Sequence, residues 1–104
     1  MIFNKENIEI LSKHVSIVHH LKGRVRFKID IKIQNYSDKI DLEALGKLEQ
    51  KIKGVKSVSL NKLAKSLTIE YDHTVIASST WEELANSDNH EEIANKLNNL
   101  LKED

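Results

Sequence analysis

Cysteine and proline are absent from this chain of 104 residues, glycine occurs only three times, and aromatic residues make up 5%. The missing thiols exclude disulfide frameworks, thiolate zinc sites, iron–sulfur clusters and cysteine nucleophiles together, and they fit a reducing compartment. Single, scattered glycines make no phosphate-cradling loop, and neither a Ser/His/Asp spacing nor a convincing pair of carboxylates stands out. An enzyme is therefore not expected. The opening residues Met1 to Asn7 carry no apolar run ahead of a cleavage-type site, and no stretch approaches about 18 apolar residues. A soluble, cytoplasmic protein is the expectation.

What is present suffices for one core. With 39% hydrophobic and 31% charged residues, the composition is that of an ordinary globular chain, long enough for a single domain over 1–104. The formal charge is zero, yet residues 13–65 hold 13 Lys or Arg against 5 Asp or Glu, while residues 80–104 hold 2 against 7. Such an electrical dipole favours oriented association with a charged partner or head-to-tail self-association.

Apolar and charged residues alternate without a slip from Val25 to Ile33, the period of a half-buried strand. This pattern predicts Val25, Phe27, Ile29, Ile31 and Ile33 toward a core, with Arg24, Arg26, Lys28, Asp30 and Lys32 on the other face. Upstream, the β-branched stretch His14 to His20 and Gly23 suggest a second strand in a hairpin with the first. Regular alternation there would set His14, Ser16, Val18 and His20 on one face and Val15, Ile17 and His19 on the other.

Leu42, Leu45, Leu48 and Ile52 recur at helical spacing between Asp38 and Lys53, with Ser37 or Asp38 as cap and Gly54 after the last turn. Residues 55–60 and 66–71 read as a hairpin, with Leu67, Ile69 and Tyr71 inward. Thr80-Trp81-Glu82-Glu83 and Asp88-Asn89-His90-Glu91 resemble capping boxes of two helices, the second an acidic one over about 89–102. Ile8 and Leu11 add a helical turn or two near the start.

Strand, helix, strand, strand, helix gives an α+β fold: a ferredoxin-like sandwich, βαββα with an extra N-terminal strand or hairpin, its antiparallel sheet covered on one face by helices. The extra strand before Gly23 fits the edge that the missing last strand would fill. At this point a family likeness emerges in His20-Leu21-Lys22-Gly23-Arg24-Val25-Arg26-Phe27-Lys28, in Gly54-Val55-Lys56-Ser57-Val58, and in Ser66-Leu67-Thr68-Ile69-Glu70-Tyr71-Asp72. Together they resemble the heavy-metal-associated-like domains found at the N-termini of some bacterial metal-transporting P-type ATPases and as free-standing proteins, over about residues 14–85. The Cys-x-x-Cys pair of the usual domains would fall near Gln34 to Lys39 and is missing, so the likeness is to the cysteine-free branch. That branch carries Pro before its Gly, where this chain has Lys22.

The resemblance implies a non-catalytic accessory or regulatory module in transition-metal handling, with iron as the metal and a P-type ATPase, another copy of the domain, or an anionic membrane surface as partner. Arg24 and Arg26 are the only arginines beside 14 lysines. Arginine's planar fork suits carboxylates, phosphates and haem propionates, which makes Lys22, Arg24, Arg26 and Lys28 the candidate partner- or anion-binding residues. The plain alternative is a solvated face that keeps an open sheet soluble.

His19 and His20 are the candidate metal or haem ligands, because imidazole serves iron, zinc, copper or nickel without sulfur. As strand neighbours they point to opposite faces and cannot chelate one ion unless a bulge reorients them; a single His acting with His14 and Ser16 is the better geometry. Haem or another anionic cofactor is thus one alternative ligand. A structural self-assembly module, basic face to acidic helix, is the other. Nucleic acid is not expected, since Phe27, Tyr71 and Trp81 read as core and the open face as charged. Glu82, Glu83, Glu91 and Glu92 complement helix dipoles without any ligand.

Overall fold

The computed structural model describes residues 3–102; the other four residues of the expected 1–104 span lie outside the described residues. Asn4 opens helix α1 (Lys5–His14) with a capping box, its side chain accepting from the Asn7 N–H at 2.8 Å while the Asn7 side chain accepts from the Asn4 N–H at 2.9 Å. This helix is longer than the turn or two its apolar spacing suggested, and it ends at His14. Strands β1 (Val15–Leu21) and β2 (Arg24–Ile29) form the expected hairpin. Gly23 closes it at φ +92°, a conformation without steric cost only for glycine.

β3 (Val55–Asn61) and β4 (Ser66–Tyr71) form the second hairpin, and the antiparallel sheet has the order β1-β2-β4-β3. The extra N-terminal strand therefore occupies the edge beside the first long strand, as the ferredoxin-like reading requires. Helices α3 (Ser78–Asn86) and α4 (His90–Asn98) join α1 on one face, where Val25, Phe27, Ile29, Leu67, Ile69 and Tyr71 meet Ile8, Leu11, Trp81, Ile93 and Leu97 in one apolar cluster. Trp81 sits at its centre, 1% exposed, with ring centroids 6.3 Å from Phe27 and 5.4 Å from Tyr71. Among the described residues, no helix is long and apolar enough to cross a membrane.

Several local expectations are corrected. The strand expected to reach Ile33 stops at Ile29, since the ladder to β1 ends at Val15↔Ile29 and the ladder to β4 at Lys28↔Ser66. Asp30 then caps a 3-10 turn over Ile31–Tyr36, its carboxylate accepting from the Lys32 N–H at 2.9 Å. Ile31, expected in the core, is thereby turned out to solvent, whereas Ile33 folds back inside.

The helix expected over 38–53 is broken into α2 (Leu42–Leu45) and a 3-10 turn at Leu48–Gln50. Asp41, rather than Ser37 or Asp38, is the cap, and Gly46 with the non-helical Lys47 interrupts the run. Leu45, Leu48 and Ile52 are nevertheless buried, so the spacing marked the inward face correctly. Likewise α3 begins two residues before Thr80: Thr80 is buried inside it, and Ala77 precedes it without a side-chain cap. For α4 the cap is Asn89, which accepts from the Glu92 N–H and donates to the Glu92 carboxylate.

Candidate interaction face and the His20 network

A register shift in β1 decides where the two adjacent histidines go. Ile17 pairs with Phe27 and His19 with Arg26, so a bulge at Val18 inserts one residue into the edge strand. Alternation is broken there. Val18 and His19 are both exposed, and His20 turns to the helix side, the reverse of the face assignment that regular alternation gave. The bulge leaves His19 and His20 still divided between faces, so they do not converge on one ion.

His14 is also displaced from its expected place. It is the last residue of α1, not a strand residue beside Ser16; its Nδ1 donates to the Ile10 carbonyl at 2.7 Å and its ring lies 5.1 Å from that of Tyr36.

The sheet face away from the helices is open and mostly polar. Cross-strand register builds one row from Leu21, Arg24, Glu70 and Ser57, and the next from His19, Arg26, Thr68 and Ser59. Arg24, Arg26 and Lys28 project from β2 as three exposed cations, and Lys22 is exposed in the adjoining turn. Glu70, the only carboxylate in these rows, accepts from Ser57 Oγ at 3.2 Å. No ion pair among the described residues uses Lys22, Arg24, Arg26 or Lys28. Two exposed guanidinium forks on one strand, without an ion-pair partner among the described residues, can each take up a carboxylate or phosphate bidentately.

On the covered side, His20 belongs to a network that local sequence patterns do not reveal. Its Nδ1 lies 2.7 Å from a Glu82 carboxylate oxygen and its Nε2 lies 2.8 Å from the Tyr71 hydroxyl, which in turn is 2.9 Å from Ser78 Oγ. Both imidazole nitrogens are thus engaged, which leaves no lone pair of His20 free for a metal in this arrangement. Glu82 is 62 residues away in the chain, so only the packing of α3 over the β1–β2 edge could have shown the pairing.

Among the described residues, no three His, Asp or Glu side chains converge closely enough to hold a metal ion. The acidic segment is largely occupied internally: Glu83 and Glu92 both pair with Lys96, and Glu82 with His20. Phe27, Tyr71 and Trp81 are buried, as their reading as core residues required.

A family model described as heavy metal associated domain 2 matches residues 3–102. Comparison with curated proteins and with solved structures gives no match.

Proposed function

We propose that this chain, which belongs to the heavy metal associated domain 2 family, is a non-catalytic accessory or regulatory module in transition-metal handling, with iron as the metal. It works by docking through the open sheet face rather than by carrying an ion in a chelate of its own. The observation that supports this reading most directly is that the chain's only two arginines stand two residues apart on the uncovered face without an ion-pair partner among the described residues. Lys22 and Lys28 extend the same basic strip. A complementary acidic surface on a metal-transporting P-type ATPase, or on another copy of the domain, is the partner this strip fits. A single domain in the cytoplasm belongs to the same proposal.

The test is a pull-down of the ATPase's cytoplasmic regions and of a second tagged copy by the wild-type chain and by the Arg24→Ala/Arg26→Ala variant. Loss of capture supports the face assignment; undiminished capture removes it.

A second reading rests on the His19↔Arg26 pairing. An exposed imidazole beside two arginines on one face presents an axial ligand next to propionate partners, as a haem-binding surface would. Haem titration with a Soret shift that His19→Ala abolishes supports it, and a flat titration ends it.

A further inference from the structure

The end of the sheet where β2 runs out carries two adjoining recesses. One is a cleft of about 420 Å³ lined by Lys13, His14, Lys28, Asp30 and Lys65, among others. The other, about 180 Å³, is a mainly apolar groove whose walls include Ile33, Leu42 and Leu60. Ile29, Ile31 and Lys65 line both, so a basic cleft opens directly beside an apolar groove.

The charges in the cleft are unequally engaged. Lys13 is paired with Glu9 at 2.9 Å, and the Asp30 carboxylate accepts a backbone N–H. Lys28 and Lys65 have no ion-pair partner among the described residues. Around this basic pair two large apolar side chains stand in water. Leu63, in the β3–β4 turn between Lys62 and Lys65, is 98% exposed, and Ile31 is 53% exposed. A fully exposed leucine flanked by lysines buries nothing in the isolated chain.

We propose that this end of the molecule docks on a bilayer containing anionic phospholipid. A lipid phosphate sits in the cleft against Lys28 and Lys65, while Leu63 and Ile31 enter the boundary between headgroups and acyl chains beside the apolar groove. Lysine stems lie along the apolar surface and keep their ammonium groups at headgroup level. The negative surface potential of anionic lipid supplies the long-range attraction. A protein partner fits less well: a leucine projecting from a turn needs a matching pocket on a folded surface and none in a fluid one. The cations here are lysines, point charges, whereas the forked arginines lie toward the other end of β2. This docking shares Lys28 with the basic strip of the proposed function but rests on Lys65, Leu63 and Ile31, which that strip does not use.

The full chain is sedimented with vesicles of phosphatidylcholine alone and of phosphatidylcholine with phosphatidylglycerol, at low and high salt. Binding is expected only with phosphatidylglycerol, and weaker at high salt. Lys65→Glu should weaken it by at least about fivefold, the factor that one lysine near an anionic surface contributes. Leu63→Asp should weaken it too, and Arg24→Ala/Arg26→Ala should retain it. Both Leu63 and Lys65 are exposed, so circular dichroism of the variants should match wild type. Failure to sediment with phosphatidylglycerol vesicles at low salt overturns the proposal, as does binding that Lys65→Glu and Leu63→Asp leave intact or that only the arginine variant loses. Uptake of inorganic phosphate without vesicle binding also overturns it, leaving a site for soluble anions.

Discussion

The His20 imidazole meets the Tyr71 hydroxyl at 2.8 Å, reaching across from the edge strand β1 to β4. With Glu82 on one side and Ser78 on the other, the chain of hydrogen bonds satisfies either protonation state of the ring. A neutral ring donates from Nδ1 to Glu82 and accepts at Nε2 from Tyr71, whose oxygen accepts from Ser78. On protonation Nε2 donates to Tyr71 instead, and the two hydroxyls rotate so that Tyr71 donates to Ser78. The network thus ties the edge strand to α3 without a buried, unpaired polar atom.

Tyr71→Phe removes that junction and leaves His20 Nε2 and Ser78 Oγ without their partner. The expected cost is about 1–3 kcal/mol, the penalty of stranding a buried hydrogen-bonding group. Urea unfolding of the variant against wild type measures it, and an unchanged midpoint would show that water replaces the hydroxyl.

Gly54 sets a second prediction through shape alone. Its φ is +89°, and a Cβ there would come within 2.8 Å of Val75 Cγ1 and 2.9 Å of Val75 Cβ. Gly54→Ala should destabilise by about 1–3 kcal/mol from backbone strain, with the steric clash adding to it. Gly46 is the control, because its φ is −69° and the nearest atom to an added Cβ is 3.5 Å away. Gly46→Ala should be neutral or stabilising by up to about 1 kcal/mol. Paired thermal melts of the two variants test the contrast.

Much of this architecture was legible in the sequence, and the failures have a common origin. β4 was legible to the residue because Leu67, Ile69 and Tyr71 alternate and the strand has partners on both sides along its length. β2 continued on paper to Ile33 because the alternation does, but a strand extends only as far as neighbouring strands pair with it. The bulge at Val18 left no mark in a stretch where nearly every residue favours strand, so the faces of His19 and His20 were legible only after folding. Asp30 and Asp41 each cap a short helical turn through their side chains, and Gly46 with Lys47 interrupts the run after Leu45. That competition broke a helix whose apolar spacing was otherwise correct. The arginine strip was visible as composition and register; the His20–Glu82 contact required the third dimension.

Trp81 provides a third test, with a built-in reporter, since it is the only tryptophan in the chain. It is 1% exposed and its indole Nε1 has no hydrogen-bond partner among the described residues. Its emission should be blue-shifted and resistant to iodide quenching until the chain unfolds. Trp81→Ala should cost about 3–5 kcal/mol through the cavity it opens. Trp81→Phe should cost much less, since it keeps an aromatic ring against Phe27 and Tyr71 and deletes the stranded N–H. Equal losses for the two variants would mean that the ring volume phenylalanine retains does not help, and that the site requires the indole itself.

A final prediction concerns acid. The Thr74 hydroxyl donates to the Asp72 carboxylate at 2.6 Å and the Thr74 N–H does so at 2.9 Å. These two hydrogen bonds hold the Asp72 carboxyl below its ordinary value, the hydroxyl contributing most. The sign follows from linkage: a carboxyl depressed in the folded state adds stability that is present above its unfolded value and is lost as pH falls through its folded one. Asp72 terminates β4, and its N–H donates to the Gly54 carbonyl at 2.7 Å, so the turn it organises also carries the chain toward α3. Asp72→Asn keeps an acceptor for Thr74 but does not titrate. Melting temperature followed from neutral to acid pH should therefore fall less steeply for Asp72→Asn than for wild type. At neutral pH the wild type should be the more stable, because only the ionised carboxylate makes a charge-assisted bond. Parallel profiles would place the acid sensitivity of the fold elsewhere.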